Sequence, residues 1–269
     1  MNKELLLLNR LSGVSGNKLF ESDVLRDEVK DVKLKFISIK GVNSFETPES
    51  KSSIDVLLSL KGKGKFINEG KEYTISSNTI IRVPYSSNYK LVVEEGEELH
   101  LILIRKLFDK EDIEVIKNNI DNYSKLYFKA IEDCPTYKED IKSEKTTNRM
   151  ILPEGLVPRF AMGSVETEGP DEVGEHEHPM LDQIFFGLDG CRCHCFADGE
   201  ETLLTENMML HIPLASKHYV SVDEGDKLAY VWMDFFLSIE GEKYMSEQHD
   251  VEDNPVNSTE TAPPHSGLN

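Results

Sequence analysis

The run His176-Glu177-His178-Pro179-Met180-Leu181-Asp182-Gln183, answered downstream by Pro213-Leu214-Ala215-Ser216-Lys217-His218, offers three imidazoles and an amide or carboxylate to one metal ion. Two histidines at i and i+2 on an extended strand project from the same face, because side chains alternate sides with period two. His176 and His178 are therefore expected to converge while Glu177 faces away. Imidazole suits most divalent transition metals, and a mixed nitrogen and oxygen set with open positions suits metal-assisted chemistry better than a closed structural site.

Composition bounds what such a site can serve. At 269 residues the chain has room for one large or two small domains, each with a proper core. A formal charge of -19 argues against nucleic acid and against anionic membrane surfaces, since phosphate contact needs clustered Lys and Arg. The apolar run Leu5 to Leu8 ends at Asn9 and Arg10, short of the roughly 7 to 15 residues of a signal segment. Cys191, Cys193 and Cys195 invite a zinc reading, but on a straight strand the outer pair lies about 13 Å apart, too far for bonds of about 2.3 Å. With Cys134 they are read as reduced thiols. A cytoplasmic protein is expected.

The chain also repeats itself. Subtracting 129 from positions around His218 lands on matching residues: Gly199 on Gly70, Asn207 on Asn78, Pro213 on Pro84, Gly225 on Gly96 and Leu228 on Leu99. Apolar positions follow, with Met209 on Ile80 and Ile212 on Val83. Each copy alternates short apolar strands with Asn-Glu-Gly, Ser-Ser-Asn and Glu-Glu-Gly turns, the rhythm of antiparallel sandwiches or barrels. Asp109-Lys110-Glu111-Asp112 resembles a capping box and predicts a short helix. From about Met245 the Ser, Thr, Asn, Glu and Pro content predicts a disordered tail, including His249, His265 and an idle glycosylation pattern at Asn257.

Taken together these residues resemble the cupin superfamily, and the duplication resembles a bicupin. Gly174-Glu175-His176-Glu177-His178 opens the first motif with shortened spacing, Gly190 closes it, and Pro213 with His218 matches the second. The resemblance implies an all-β fold of two tandem double-stranded β-barrels of jelly-roll type. The boundaries read from it are residues 1–107 for an N-terminal barrel and 108–148 for a linker with a short helix. A C-terminal barrel follows at 149–243 and a polar tail at 244–269. It also implies one divalent transition metal per chain (Fe, Mn, Zn or Ni) on His176, His178, His218 and the residue in the family's Glu position. Gln183 is preferred there over Asp182. A Gln would leave the ion its full +2 charge and make it more electrophilic.

In the first copy His218 falls on Tyr89, His176 on Thr47, His178 on Glu49 and Gln183 on Ile54, so that barrel is expected to hold no metal. Tyr230 and Asp234, which share a strand face with Trp232, are candidates for proton transfer. His211 is read as a core histidine, and Arg159 and Lys217 as solvated charges. The implied function is a metal-dependent enzyme acting on a small oxygen-rich molecule, a carboxylate, diketone or keto-sugar. Dioxygenase is favoured over isomerase or lyase, and the alternative is a non-catalytic binding or sensing bicupin. A small-molecule substrate and a homodimer are expected, with no nucleic-acid or membrane partner.

Overall fold

A computed structural model describes residues 1–6 and 16–248. These form two units, one of residues 16–133 and one of residues 1–6 and 134–248. In chain order, strand β1 (Lys3–Leu5) belongs to the second unit. The first unit runs β2 (Lys18–Val24), β3 (Val32–Lys40), β4 (Asn43–Thr47), β5 (Ser53–Gly62), β6 (Gly64–Asn68), β7 (Lys71–Ile75), β8 (Thr79–Arg82), β9 (Tyr89–Val93) and β10 (Glu98–Leu107). It closes with helices α1 (Lys110–Asn118) and α2 (Ile120–Tyr123) and strand β11 (Tyr127–Ala130). The second unit continues with β12 (Thr136–Tyr137), β13 (Thr147–Val157), β14 (Phe160–Glu168), β15 (Asp171–His176), β16 (Leu181–Gly187) and β17 (Arg192–Ala197). It ends with β18 (Glu200–Thr205), β19 (Met208–Ile212), β20 (His218–Val222), β21 (Lys227–Phe236) and helix α3 (Ile239–Gln248).

Each unit is a pair of antiparallel sheets. The first stacks β11-β8-β5-β10-β3-β2 on β4-β9-β6-β7, and the second has β1-β19-β16-β21-β14-β13-β12 with β15-β20-β17-β18. Alternating inward residues of both sheets make the core: in the first unit Ile37, Leu57 and Leu101 meet Phe66, Leu91 and Val93. The repeat of 129 is visible in the strands, since β9, β10, β7 and β8 begin that far before β20, β21, β18 and β19.

The ends of the units differ from the sequence reading. Residues 108–148 are not a linker between barrels. Helices α1 and α2 and strand β11 belong to the first unit, where β11 pairs with β8, and residues 134–148 belong to the second. Strand β1, read as part of the first barrel, instead pairs with β19, so Lys3 faces Leu210. Both β11 and β1 cover an exposed sheet edge, which otherwise presents unpaired amides and carbonyls. The tail reading also begins too early. Residues 244–248 lie in α3, tied to the barrel where Glu242 accepts from the Gly155 and Arg159 amides at 3.0 and 2.9 Å. His249, His265 and the Asn257 pattern lie outside the described residues.

Candidate metal centre

Three imidazoles meet inside the second barrel. His176 closes β15 and stands opposite His218, the first residue of β20. A register shift between Val173 and His176 inserts an extra residue, which returns His176 to the face Val173 occupies. His178 lies beyond the strand end, in the extended turn before β16, rather than on the same strand as the sequence implied. The His176 ring is 4.2 Å from that of His218 and 4.8 Å from that of His178. One nitrogen from each can be chosen so that all lie within 4.8 Å of one another.

Backbone carbonyls fix two of the rings. His176 Nδ1 lies 2.8 Å from Gly174 O and His218 Nδ1 lies 3.0 Å from Ser216 O, so both Nδ1 atoms carry the proton and donate it. The Nε2 lone pairs are left for a ligand, the arrangement metal-binding histidines adopt. Burial pulls both imidazoles below their ordinary range, His218 to about 4 with the neighbouring His176 as a further cause. They are neutral at pH 7, as metal binding requires.

The strand alternation separates Gln183 from Asp182. Gln183 shares the inner face of β16 with Phe185, whose ring lies 6.0 Å from His218 and 4.6 Å from Tyr230. Its Nε2 donates to Asp234 Oδ1 at 2.7 Å across the β16–β21 ladder. This orients the amide and leaves Gln183 Oε1 buried without a partner. Asp182 points the other way, where its Oδ1 is 3.3 Å from His211 Nε2. His211 is accordingly a buried, partnered histidine outside the cluster.

Two buried acceptors, Gln183 Oε1 and His218 Nε2, thus have no hydrogen-bond partner. Leaving such atoms unpaired costs about 1–3 kcal/mol each. A cation bound among the three imidazoles would satisfy His218 Nε2, and one within reach of Gln183 Oε1 would satisfy both. The residues fit a divalent metal ion.

Asp234 and Tyr230 lie on the inner face of β21, at 5% and 3% exposure. Asp234 holds the Gln183 amide. Burial raises the Tyr230 hydroxyl well above its ordinary range, so it stays protonated. Arg159 departs from the sequence reading: it is buried, and its Nη1 donates to Leu237 O at 3.3 Å, because it packs under α3. Lys217 is exposed. The four cysteines are free and buried, with Cys191 and Cys193 sulfurs 3.8 Å apart, far beyond a disulfide bond of about 2.05 Å.

The search against family models and the search of curated proteins found no match. Solved structures do match. A cupin 2 conserved barrel domain protein from Leptotrichia buccalis shares 15% identity over 87% of this chain and 96% of its own, with a TM-score of 0.60. The chain has the bicupin fold. Bacillus subtilis oxalate decarboxylase, described with Mn(II) centres, matches at 13% identity over 82% of this chain and 75% of its own, TM-score 0.56. A protein described as glyoxylate-induced from Pseudomonas aeruginosa matches at 11% identity over 80% and 78%, TM-score 0.66. The bicupin fold is shared with 7S globulins as well, so it does not specify an activity.

The two barrels treat the same place differently. The ladders pair Thr47 with Tyr89 where the second barrel pairs His176 with His218, and Asp55 with Arg105 where it pairs Gln183 with Asp234. Gln183 therefore corresponds to Asp55, one residue from the Ile54 that the fixed offset implies. Arg105 grips both Asp55 oxygens at 2.7 and 2.8 Å, and the Tyr89 hydroxyl donates to Asp55 at 3.1 Å. The Asp55–Arg105 ion pair and Tyr89 thus stand at the positions of Gln183, Asp234 and His218.

The sequence reading missed three residues at the second site. Tyr137 ends β12, and Glu139 and Lys142 lie in the segment between β12 and β13, all within the stretch read as a linker. The Lys142 ammonium is 2.6 Å from Glu139 Oε2 and 5.5 Å from the centre of the Tyr137 ring. In a stretch rich in Lys and Glu, nothing local distinguishes a buried lysine from a solvated one.

Proposed function

We propose that the second barrel is the site of a metal-dependent enzyme acting on a small oxygen-rich molecule. The observation that carries this reading is the pair of buried, unpartnered acceptors, His218 Nε2 and Gln183 Oε1, beside His176 and His178. His176, His178, His218 and Gln183 would hold the ion. A divalent metal there would supply a Lewis acid to polarise a substrate oxygen, and three neutral imidazoles with a neutral amide would leave its charge undiminished.

The chain's own groups suit proton and charge handling. Asp234 aims the Gln183 amide by accepting from its Nε2. Tyr230 keeps its proton and can donate a hydrogen bond to developing negative charge on a substrate oxygen. Phe185, edge-on to His218 and tilted against Tyr230, keeps that side of the site apolar and would exclude water.

Elemental analysis of protein purified without an affinity tag tests the reading: about one equivalent of a transition metal per chain is expected. A His176→Ala and His218→Ala double variant should lose it. Metal below about a tenth of an equivalent, unchanged by the double variant, sinks the enzyme reading and leaves a metal-free binding bicupin. Oxygen uptake over carboxylates, diketones and keto-sugars then separates reaction classes. Dioxygenation requires oxygen, whereas turnover that persists under nitrogen assigns isomerase or lyase chemistry.

A further inference from the structure

The strap of residues 138–146 crosses β15 just before the metal cluster. Lys142 forms an isolated bridge with Val173, and the Gly174 amide donates to Ile141 O at 2.8 Å. The carbonyl of the same Gly174 accepts from His176 Nδ1. One residue therefore links strap and ligand.

The first barrel is open near the equivalent place. There a cavity of about 610 Å³ opens beside Phe45, Thr47, Leu103 and Arg105. By register these correspond to Val173, His176, Trp232 and Asp234. In the second barrel Lys142 bridges Val173, and its charge reaches both His176 and Asp234, which stand on opposite sheets. The ammonium is thus held between Glu139 and the Tyr137 ring, close enough to feel charged groups on both sheets.

Its environment is unusual for a lysine. The Lys142 side chain is 6% exposed, against 17% for Glu139. A buried ion pair carries a desolvation cost that solvent exposure would avoid. An ammonium has three donors, and among the described residues Glu139 is the one acceptor recorded on it. Burial opposes its charge, while Glu139 and Asp234 sustain it.

We propose that Lys142 is the anion-binding residue of this site and that the substrate is a small carboxylate, held by Lys142 at one end and by the metal at a neighbouring oxygen. This rests on the metal-enzyme reading above and narrows its substrate class. Formal charge supports it: a +2 ion with Lys142, Glu139 and Asp234 leaves one positive charge, which a single carboxylate neutralises. A diketone or neutral sugar could accept a hydrogen bond from the ammonium but would leave that positive charge unbalanced.

The test is titration of Mn(II)-loaded protein with glycolate and with its neutral amide, glycolamide, followed by calorimetry. Wild type should prefer glycolate by about tenfold or more, and Lys142→Met should erase that preference while Mn(II) content and glycolamide affinity hold. Lys142→Arg should retain most of it. Glu139→Gln, which keeps the ammonium and removes its competitor, should bind glycolate at least as tightly as wild type. Equal glycolate affinity in Lys142→Met, or no preference in wild type that holds Mn(II), overturns the assignment of Lys142 alone. Wild type that binds none of Mn(II), Fe(II), Zn(II) or Ni(II) overturns the metal reading and this inference together.

Discussion

His218 carries the pH behaviour of the second barrel. Its folded-state value, about 4, lies below the ordinary 6.5, with burial first among the causes. The unfolded chain therefore takes up a proton that the folded one refuses. In the metal-free protein this residue's effect is absent above about pH 6.5, costs stability progressively as pH falls toward about 4, and levels off below. Urea midpoints measured from pH 7 to 4 should fall more steeply in wild type than in His218→Leu; parallel curves contradict the assignment. Gln183 yields a second prediction. Glu at this position would set a carboxylate against Asp234 Oδ1, which now accepts at 2.7 Å. Gln183→Glu should cost the apo protein about 1–3 kcal/mol, and saturating Mn(II) should recover much of that in thermal unfolding.

At the scale of elements, local chemistry and long-range pairing divide the work. Helix α1 was legible because Asp109 accepts from the Glu111 and Asp112 amides at 2.8 and 3.0 Å while Asp112 accepts from the Asp109 amide. All of that lies within four consecutive residues. Asp109→Ala should lower the stability of the first unit by about 1 kcal/mol in chemical denaturation. What α1 leads to was not legible. The chain after it stays on the first barrel because buried Arg82 donates to the carbonyls of Tyr123, Lys125 and Asn122 at 2.8, 2.7 and 3.1 Å. Desolvation pulls that guanidinium down to about 10. Arg82→Met should cost about 3 kcal/mol or more and expose the 119–130 segment to proteolysis. Strand β15 shows the same division: the His-x-His spacing is local, but the shift that aligns His176 with Val173 exists only against β20.

In the whole molecule, duplication gave two barrels with unlike interiors. A ligand that binds the folded second barrel stabilises that unit, by about 2.7 kcal/mol at a hundredfold excess over its Kd. Metal addition should therefore raise one thermal transition and leave the other in place, as followed by hydrogen exchange in β5 and β16. The pairing of β1 with β19 adds a structural consequence. Deleting residues 1–6 uncovers β19 and removes buried Leu6, so it should destabilise the metal barrel although it trims the start of the chain. Among the described residues no helix is long and apolar enough to cross a membrane.

The sequence by itself determined the strand rhythm, the repeat at 129 and the histidine set, because each is written in residues a few positions apart or in one fixed offset. Tertiary structure decided the rest. It set Gln183 on the inner face and Asp182 on the outer, placed Asp55 with Arg105 where the second barrel has Gln183 with Asp234, and carried Lys142 against Val173 and Glu139. Those outcomes depend on which strand pairs with which and on single-residue shifts in register. A one-residue slip turns a side chain to the opposite face, and no local pattern records it.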